Sequence, residues 1–156
     1  MTTPKIETFG HRFTKARRLR VMDIAFISHL TGISVERLLA YETGINLPSH
    51  KTLTAIAQAL DISVDYLAGV NDEPRQLEKS AGYRTSLFSD RMQVEREVRG
   101  MTQPQMAELL GVRRERVSSW ERKESPRYEQ LLEVAKRLNV SLDWLCGFSS
   151  KARYEP

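Results

Sequence analysis

The sequence predicts an all-α fold made of two similar five-helix units in tandem, and three observations carry that expectation. Sliding the chain on itself by 79 residues lays Arg12, Arg17, Arg20, Met22, Leu30, Gly32, Glu36, Arg37 and Glu42 over Arg91, Arg96, Arg99, Met101, Leu109, Gly111, Glu115, Arg116 and Glu121. Dropping one residue moves the register to 78, and Pro48, Leu53, Ala57, Leu60, Ser63, Asp65, Leu67 and Gly69 then recur inside PRYEQLLEVAKRLNVSLDWLCG. Within each copy the apolar residues return at helical spacing, and no run alternates with period two over strand length. A length of 156 residues, 40% hydrophobic and 28% charged, suits one medium domain or two small ones.

In the second copy the spacing predicts a first helix over 88–99 and a second over 103–110. Thr102, with Gln105 three residues on, has the capping-box arrangement, and Pro104 sits in the first turn, where its missing N–H does no harm. Gly111 closes the second helix as a left-handed residue. A third helix is expected over 114–122, a fourth over 127–138 on Leu131, Val134, Ala135 and Leu138, and a fifth over 142–146 behind Ser141 as N-cap. Two helices joined by a tight glycine turn suggest a helix-turn-helix. The same elements repeat in the first copy, giving units at 1–70 and 88–148 and a short tail at 149–156. The segment 71–87 between them is polar and charge-balanced and holds Pro74 and Gly82, as a linker does; its LEKSA core suits one helical turn.

MTQPQMAELLGVRRERVSSWERKESP, followed by LLEVAKRLNVSLDWLCG, resembles the Cro/CI-type (XRE-like) helix-turn-helix domains of bacterial and phage regulators over residues 90–147. Residues 12–69 resemble the same family: LPSHKTLTAIAQALDISVDYLAG is a good match and MDIAFISHLTGISVERLLAYETG a degraded one. The resemblance implies two lambda-repressor-like five-helix domains. It also implies that the second helix crosses the DNA backbone while the third enters the major groove with its N-terminal residues at base edges.

A helical wheel tests that implication. At about 100° per residue, Val117 and Trp120 share one face of the third helix, while Glu115, Ser119 and Arg122 project from the other, flanked by Arg116 and Ser118. Arg114 in the first turn suits a guanine O6/N7 edge, Ser118 and Ser119 suit either edge, and Glu115 suits cytosine N4. Gln103 matches a family position that donates to phosphate, and Arg113, Arg116, Arg122 and Lys123 are candidate backbone contacts that position without specifying. The plain alternative for such a basic helix is a solvated face. Arg113 stands where the family puts a capping Ser or Thr, the role Ser34 keeps in the first copy, so it is either a phosphate contact or a lost cap. Trp120 and Tyr41 face the core. The resemblance pairs Glu42 with Arg17 and Glu121 with Arg96 as partly buried structural ion pairs.

The equivalent wheel in the first copy turns Val35, Glu36, Leu39, Ala40 and Thr43 outward, with Arg37 the only cation. Ile24 replaces the phosphate-binding glutamine, and Phe26 and Leu30 add apolar surface, so Ile24, Phe26, Leu30, Val35 and Leu39 form a candidate protein-contact face. Because Thr31 occupies the position of a core leucine, Leu30 is expected to turn inward and shrink that face. Of the basic run on the first helix, Arg17 is assigned to Glu42, and Arg18 and Arg20 are left near the phosphate backbone.

The remaining chemistry is sparse. Twenty-four basic against 20 acidic side chains, a net +4, is compatible with a nucleic-acid partner but does not require one. Cys146 is the only cysteine and reads as a packed hydrophobe, and His11, His29 and His50 show no metal-ligand spacing. No catalytic arrangement, cofactor motif, leader or membrane-spanning run is seen, so a non-enzymatic, cytoplasmic, nucleoid-associated protein is expected.

The function expected is sequence-specific binding of double-stranded DNA by a transcriptional regulator, repressing by operator occupancy, in a bacterial, phage or plasmid setting. The alternative is an adaptor or antitoxin-like protein that binds a partner through the same scaffolds. Seventeen linker residues reach about 56 Å extended and average about 23 Å as a coil. Half-sites lie about 34 Å apart, so both copies of one chain can lie along one DNA face. The preferred arrangement is a homodimer joined through the first copy, presenting two second copies to a palindrome.

Overall fold

The computed structural model describes residues 8–77 and 86–152. The first repeat runs α1 (Phe9–Leu19), α2 (Ile24–Thr31), α3 (Val35–Glu42), α4 (His50–Leu60) and α5 (Val64–Leu67). The second runs α6 (Ser86–Val98), α7 (Gln103–Leu110), α8 (Arg114–Glu121), α9 (Tyr128–Leu138) and α10 (Leu142–Leu145). Every regular element among the described residues is a helix and none is a strand, as two tandem helix-turn-helix units require. Helix ends agree with the sequence reading to within two residues, the largest difference being the start of α6 at Ser86.

The caps follow from local chemistry. Thr102 and Gln105 form a capping box at the start of α7, and Gly111 ends it at φ 69°. Ser34, Ser63 and Ser141 each accept an N–H in the first turn of α3, α5 and α10. Both repeats contribute to one continuous buried core. Phe13, Ile27, Leu38, Leu53, Ile56 and Leu67 come from the first, and Phe88, Met92, Met106, Trp120, Leu131 and Leu145 from the second, all almost fully buried.

Arginines tie the helices of both repeats in matching ways. Arg17 Nε donates to Glu42 Oε1 (2.7 Å) and Arg96 Nε to Glu121 Oε1 (2.8 Å), joining α1 to α3 and α6 to α8. Arg20 donates to the carbonyls of Leu60 and Asp61 (both 2.8 Å), and Arg99 to that of Leu138 (2.7 Å), satisfying exposed carbonyls at the ends of α4 and α9. Arg20 is therefore a helix-end clamp and not the backbone-facing cation that the sequence suggested. Arg12 stacks over Tyr66 and donates to the Asn71 carbonyl (3.1 Å), and Arg91 stacks over Trp144 and donates to the Ser149 carbonyl (2.8 Å).

The polar segment after α5 is fastened down at least to Leu77. The Ser63 N–H donates to the Arg75 carbonyl (2.8 Å), the Leu77 N–H to Asp61 Oδ1 (3.3 Å), and Leu77 packs on the core. The Ser141 N–H makes the same bond to the Ala152 carbonyl (2.7 Å) in the second repeat. The helical turn expected in LEKSA falls almost wholly outside the described residues.

The two repeats pack directly on each other. The Val64 N–H and the Ser63 hydroxyl donate to the Asp143 carboxylate (both 2.6 Å), while the N–H groups of Leu142 (2.9 Å) and Asp143 (3.0 Å) donate to Asp65. Each short helix is thus capped by the carboxylate of the other. Phe9 meets Tyr128 edge-on at 5.7 Å between ring centres, and His50 lies 5.1 Å from Phe88. The His50 N–H donates to the Pro126 carbonyl (3.2 Å), bringing the loop after α8 to the start of α4. Burial, and then the charge of Asp65 beside it, push the Asp143 carboxyl up to about 7.

Candidate nucleic-acid interface

α7 and α8 form the helix-turn-helix of the second repeat. Val117 and Trp120 turn inward and are buried, which leaves Arg113, Arg114, Glu115, Arg116, Arg122 and Lys123 exposed on and beside α8. None of the five cations in that set is engaged by another side chain or by a carbonyl among the described residues, so their charge is available to a partner. Ser118 and Ser119 are half-buried at the flank, and the Ser119 hydroxyl donates to the Arg116 carbonyl (3.0 Å). A base edge would have to compete with that bond.

Gln103 opens α7, and its side-chain amide donates to Glu121, which also holds Arg96. A chain of three side chains thus fixes the amide at the start of α7, with its second N–H still to give. The family resemblance gave Glu121 a structural role through Arg96, and the geometry adds the orientation of Gln103 to it.

Two backbone features bear on the cations at either end of α8. Arg113 is the N-cap residue, extended at φ −77°, and makes no side-chain capping bond, whereas Ser34 caps α3 by accepting from the Arg37 N–H (3.2 Å). Lys123 sits at φ 76°, a left-handed conformation that costs a side-chain-bearing residue about 1 kcal/mol. Its counterpart in the first repeat is Gly44, at φ 81°. Both ends of α8 therefore carry a cation where the first repeat carries the residue that favours the fold. Sequence reasoning caught the first substitution and missed the second, although aligning Gly44 with Lys123 in the internal repeat would have shown it.

On the first repeat the equivalent face is apolar. Phe26 (47% exposed) and Leu30 (49%) lie one turn apart on α2, and Val35 (40%) and Leu39 (45%) one turn apart on α3. Leu30 does not turn inward: Thr31 fills the leucine position by donating its hydroxyl to the Ile27 carbonyl (2.7 Å), and Ile27 supplies the core contact. Ile24 differs from the sequence reading in the opposite sense, being half-buried against the core. Ile45 (76%) and Leu47 (44%), in the loop after α3, extend the face and were not picked out from the sequence, because loop residues carry no periodicity. Arg37 is held on the Tyr41 hydroxyl (3.1 Å), and Arg18 is exposed.

A family model described as helix-turn-helix matches residues 15–67 and again residues 94–145. The chain belongs to the Cro/CI-type (XRE) helix-turn-helix family, in two tandem copies. It is a DNA-binding regulator of the XRE type. No curated protein and no solved structure showed a significant match. The family matches run from within α1 to the end of α5 and from within α6 to the end of α10, so the contrast between the basic and apolar faces arises within one family scaffold.

Other chemistry is thin. Cys146 is buried, and burial raises its thiol well above the usual range, leaving it a packed apolar group. Among the described residues no cluster of His, Cys, Asp and Glu could hold a metal ion, and no helix is long and apolar enough to cross a membrane.

Proposed function

We propose that the chain is a transcriptional repressor acting by operator occupancy, with α8 of the second repeat reading the major groove. The observation that carries this reading is the set of five exposed, unengaged cations around α8, two of them kept at positions that cost the fold stability. Arg114, with Glu115, Ser118 and Ser119, would contact base edges. Gln103, Arg113, Arg116, Arg122 and Lys123 would contact the phosphate backbone.

The test is a binding titration on selected duplex DNA across salt concentrations. Log affinity should fall with log salt by about 0.9 per phosphate neutralised. Arg114→Ala should lose about 1–3 kcal/mol at one base position and relax preference there. Binding that ignores salt, or a variant with undiminished specificity, would sink the reading.

The first repeat supports a different use. Its outward face offers phosphates no unengaged cation on α3 and exposes Phe26, Leu30, Val35, Leu39, Ile45 and Leu47, a surface suited to protein contact, whether with a second copy of the chain or with another protein. Phe26→Ser should abolish any concentration-dependent association seen in ultracentrifugation while leaving DNA affinity unchanged. Association that survives the substitution would place the contact elsewhere.

A further inference from the structure

The seam between the repeats determines what shape of DNA site the chain fits. Its bonds run in both directions. Asp143 caps α5 while Asp65, at the matching position, caps α10, and Phe9 meets Tyr128 as Phe88 meets His50. Contacts in which residue i meets j and j meets i define a two-fold relation, which normally joins two identical subunits. Here it joins two unlike copies within one chain.

Two consequences follow. The surface on which two second repeats would meet in this way, around Phe88, Tyr128 and Asp143, is already covered by the first repeat. And because a two-fold relation exchanges matching elements, α3 and α8 are counterparts on the two sides of the seam. The loops after both helices reach the seam: residues 44–49 adjoin Arg127, Tyr128 and Glu129, and Pro126 meets His50. Of these counterparts across the reciprocal seam, only α8 is surrounded by unengaged cations.

We infer that one chain occupies one operator as a single-chain pseudo-dimer, and that the operator is an asymmetric duplex with one half-site read by α8 and no inverted copy of it. The inference rests on the α8 reading proposed above. The α3 side cannot repeat that readout. Val35 stands where the second repeat has Arg114, and Ile24 and Phe26 stand where it has Gln103 and Gln105. Arg37, the one cation on α3, is held by Tyr41. Of the two counterpart helices only α8 then offers phosphate-contacting cations, and Arg113, Arg116, Arg122 and Lys123 at about 0.9 each give a salt slope of about 4, half of what two such reading helices would give.

The experiment uses the full chain: duplexes are selected from a random pool, the complex on the selected duplex is weighed by sedimentation, and the same duplex is titrated against salt. A single block of preferred bases, one chain per duplex and a slope no steeper than about 5 support the inference. An inverted repeat about one helical turn apart, bound by two chains, overturns it. A pool yielding no preferred sequence overturns both the inference and the reading beneath it. A single block bound by one chain but unchanged by Arg114→Ala upholds the asymmetric architecture and overturns only the assignment of readout to Arg114.

Discussion

Replacing His50 with phenylalanine tests the seam through its buried imidazole. His50 opens α4, is 1% exposed, and lies against Phe88 with neither ring nitrogen hydrogen-bonded among the described residues. Burial pushes its pKa down from 6.5 to about 4. The unfolded chain therefore takes up this proton before the folded chain does. The contribution of His50 to stability is whole above about pH 6.5 and is lost as pH falls toward 4. A difference of about 2.5 pH units, at about 1.36 kcal/mol each, amounts to about 3 kcal/mol. His50→Phe keeps a ring against Phe88 and puts carbon where two polar atoms lack partners, so the variant should already be more stable at pH 7 by about 1 kcal/mol or more. The gap should then widen by about 3 kcal/mol between pH 7 and pH 4. Urea unfolding of both proteins at pH 7, 5.5 and 4, followed by far-ultraviolet circular dichroism, measures it. Asp143 titrates in the opposite sense in both proteins and cancels in the difference. A gap that stays constant across this range would refute the reasoning.

The other expectations concern the seam carboxylates and the two ends of α8. The folded state raises the Asp143 carboxyl, so its contribution is whole below about pH 4 and is lost as pH rises through about 7. Asp143→Asn should therefore gain on the wild type between pH 5 and pH 8, and parallel stability profiles would exclude a titrating Asp143. Arg113→Ser should restore the missing cap of α8 and stabilise the chain by about 1 kcal/mol. Lys123→Gly should relieve the left-handed strain by up to about 1 kcal/mol. Both should weaken DNA binding on every sequence and flatten the salt slope, as read by thermal unfolding beside a binding titration. A variant that gains stability at no cost in affinity would show that its cation is a solvated bystander.

Much of the scaffold was legible because it depends on short-range rules. Thr102, Gln105 and Gly111 determine where α7 begins and ends, and the wheel of α8 separates Val117 and Trp120 from the arginines. The pairing of Arg96 with Glu121 came from the family resemblance, and its tie to Gln103 was not foreseen. That bond crosses 18 residues and depends on how α7 meets α8. The seam was harder still. Asp65 and Asp143 are matched by the repeat register, yet an acidic residue in the first turn of a helix has an ordinary explanation, and no periodicity says that it caps a helix in the other repeat. Residues 71–77 looked like a free linker because much of their anchoring uses backbone carbonyls and amides, which every sequence has, beside the Asp72 pairing with Arg12 and the packing of Leu77.

Comparison of the two repeats separates two sets of positions in the first. The seam positions Phe9, Ser63 and Asp65 match Phe88, Ser141 and Asp143 in residue type, and His50 keeps an aromatic ring where the second repeat has Tyr128. Several positions at the outer ends of α2 and α3 differ, with Ile24 for Gln103, Phe26 for Gln105, Ser34 for Arg113 and Val35 for Arg114, although Leu30, Glu36 and Arg37 are kept as Leu109, Glu115 and Arg116. Change in the core or seam would expose Phe88 and Tyr128 and leave the first-turn N–H groups of α10 without the Asp65 carboxylate. Change on the outward face leaves the second repeat supported. The first repeat can thus lose the chemistry of DNA reading while remaining necessary to the repeat that reads. The same physics makes the second repeat alone a poor stand-in for the whole chain, since cutting at the linker uncovers an apolar, half-capped surface next to the loop that carries Arg122 and Lys123.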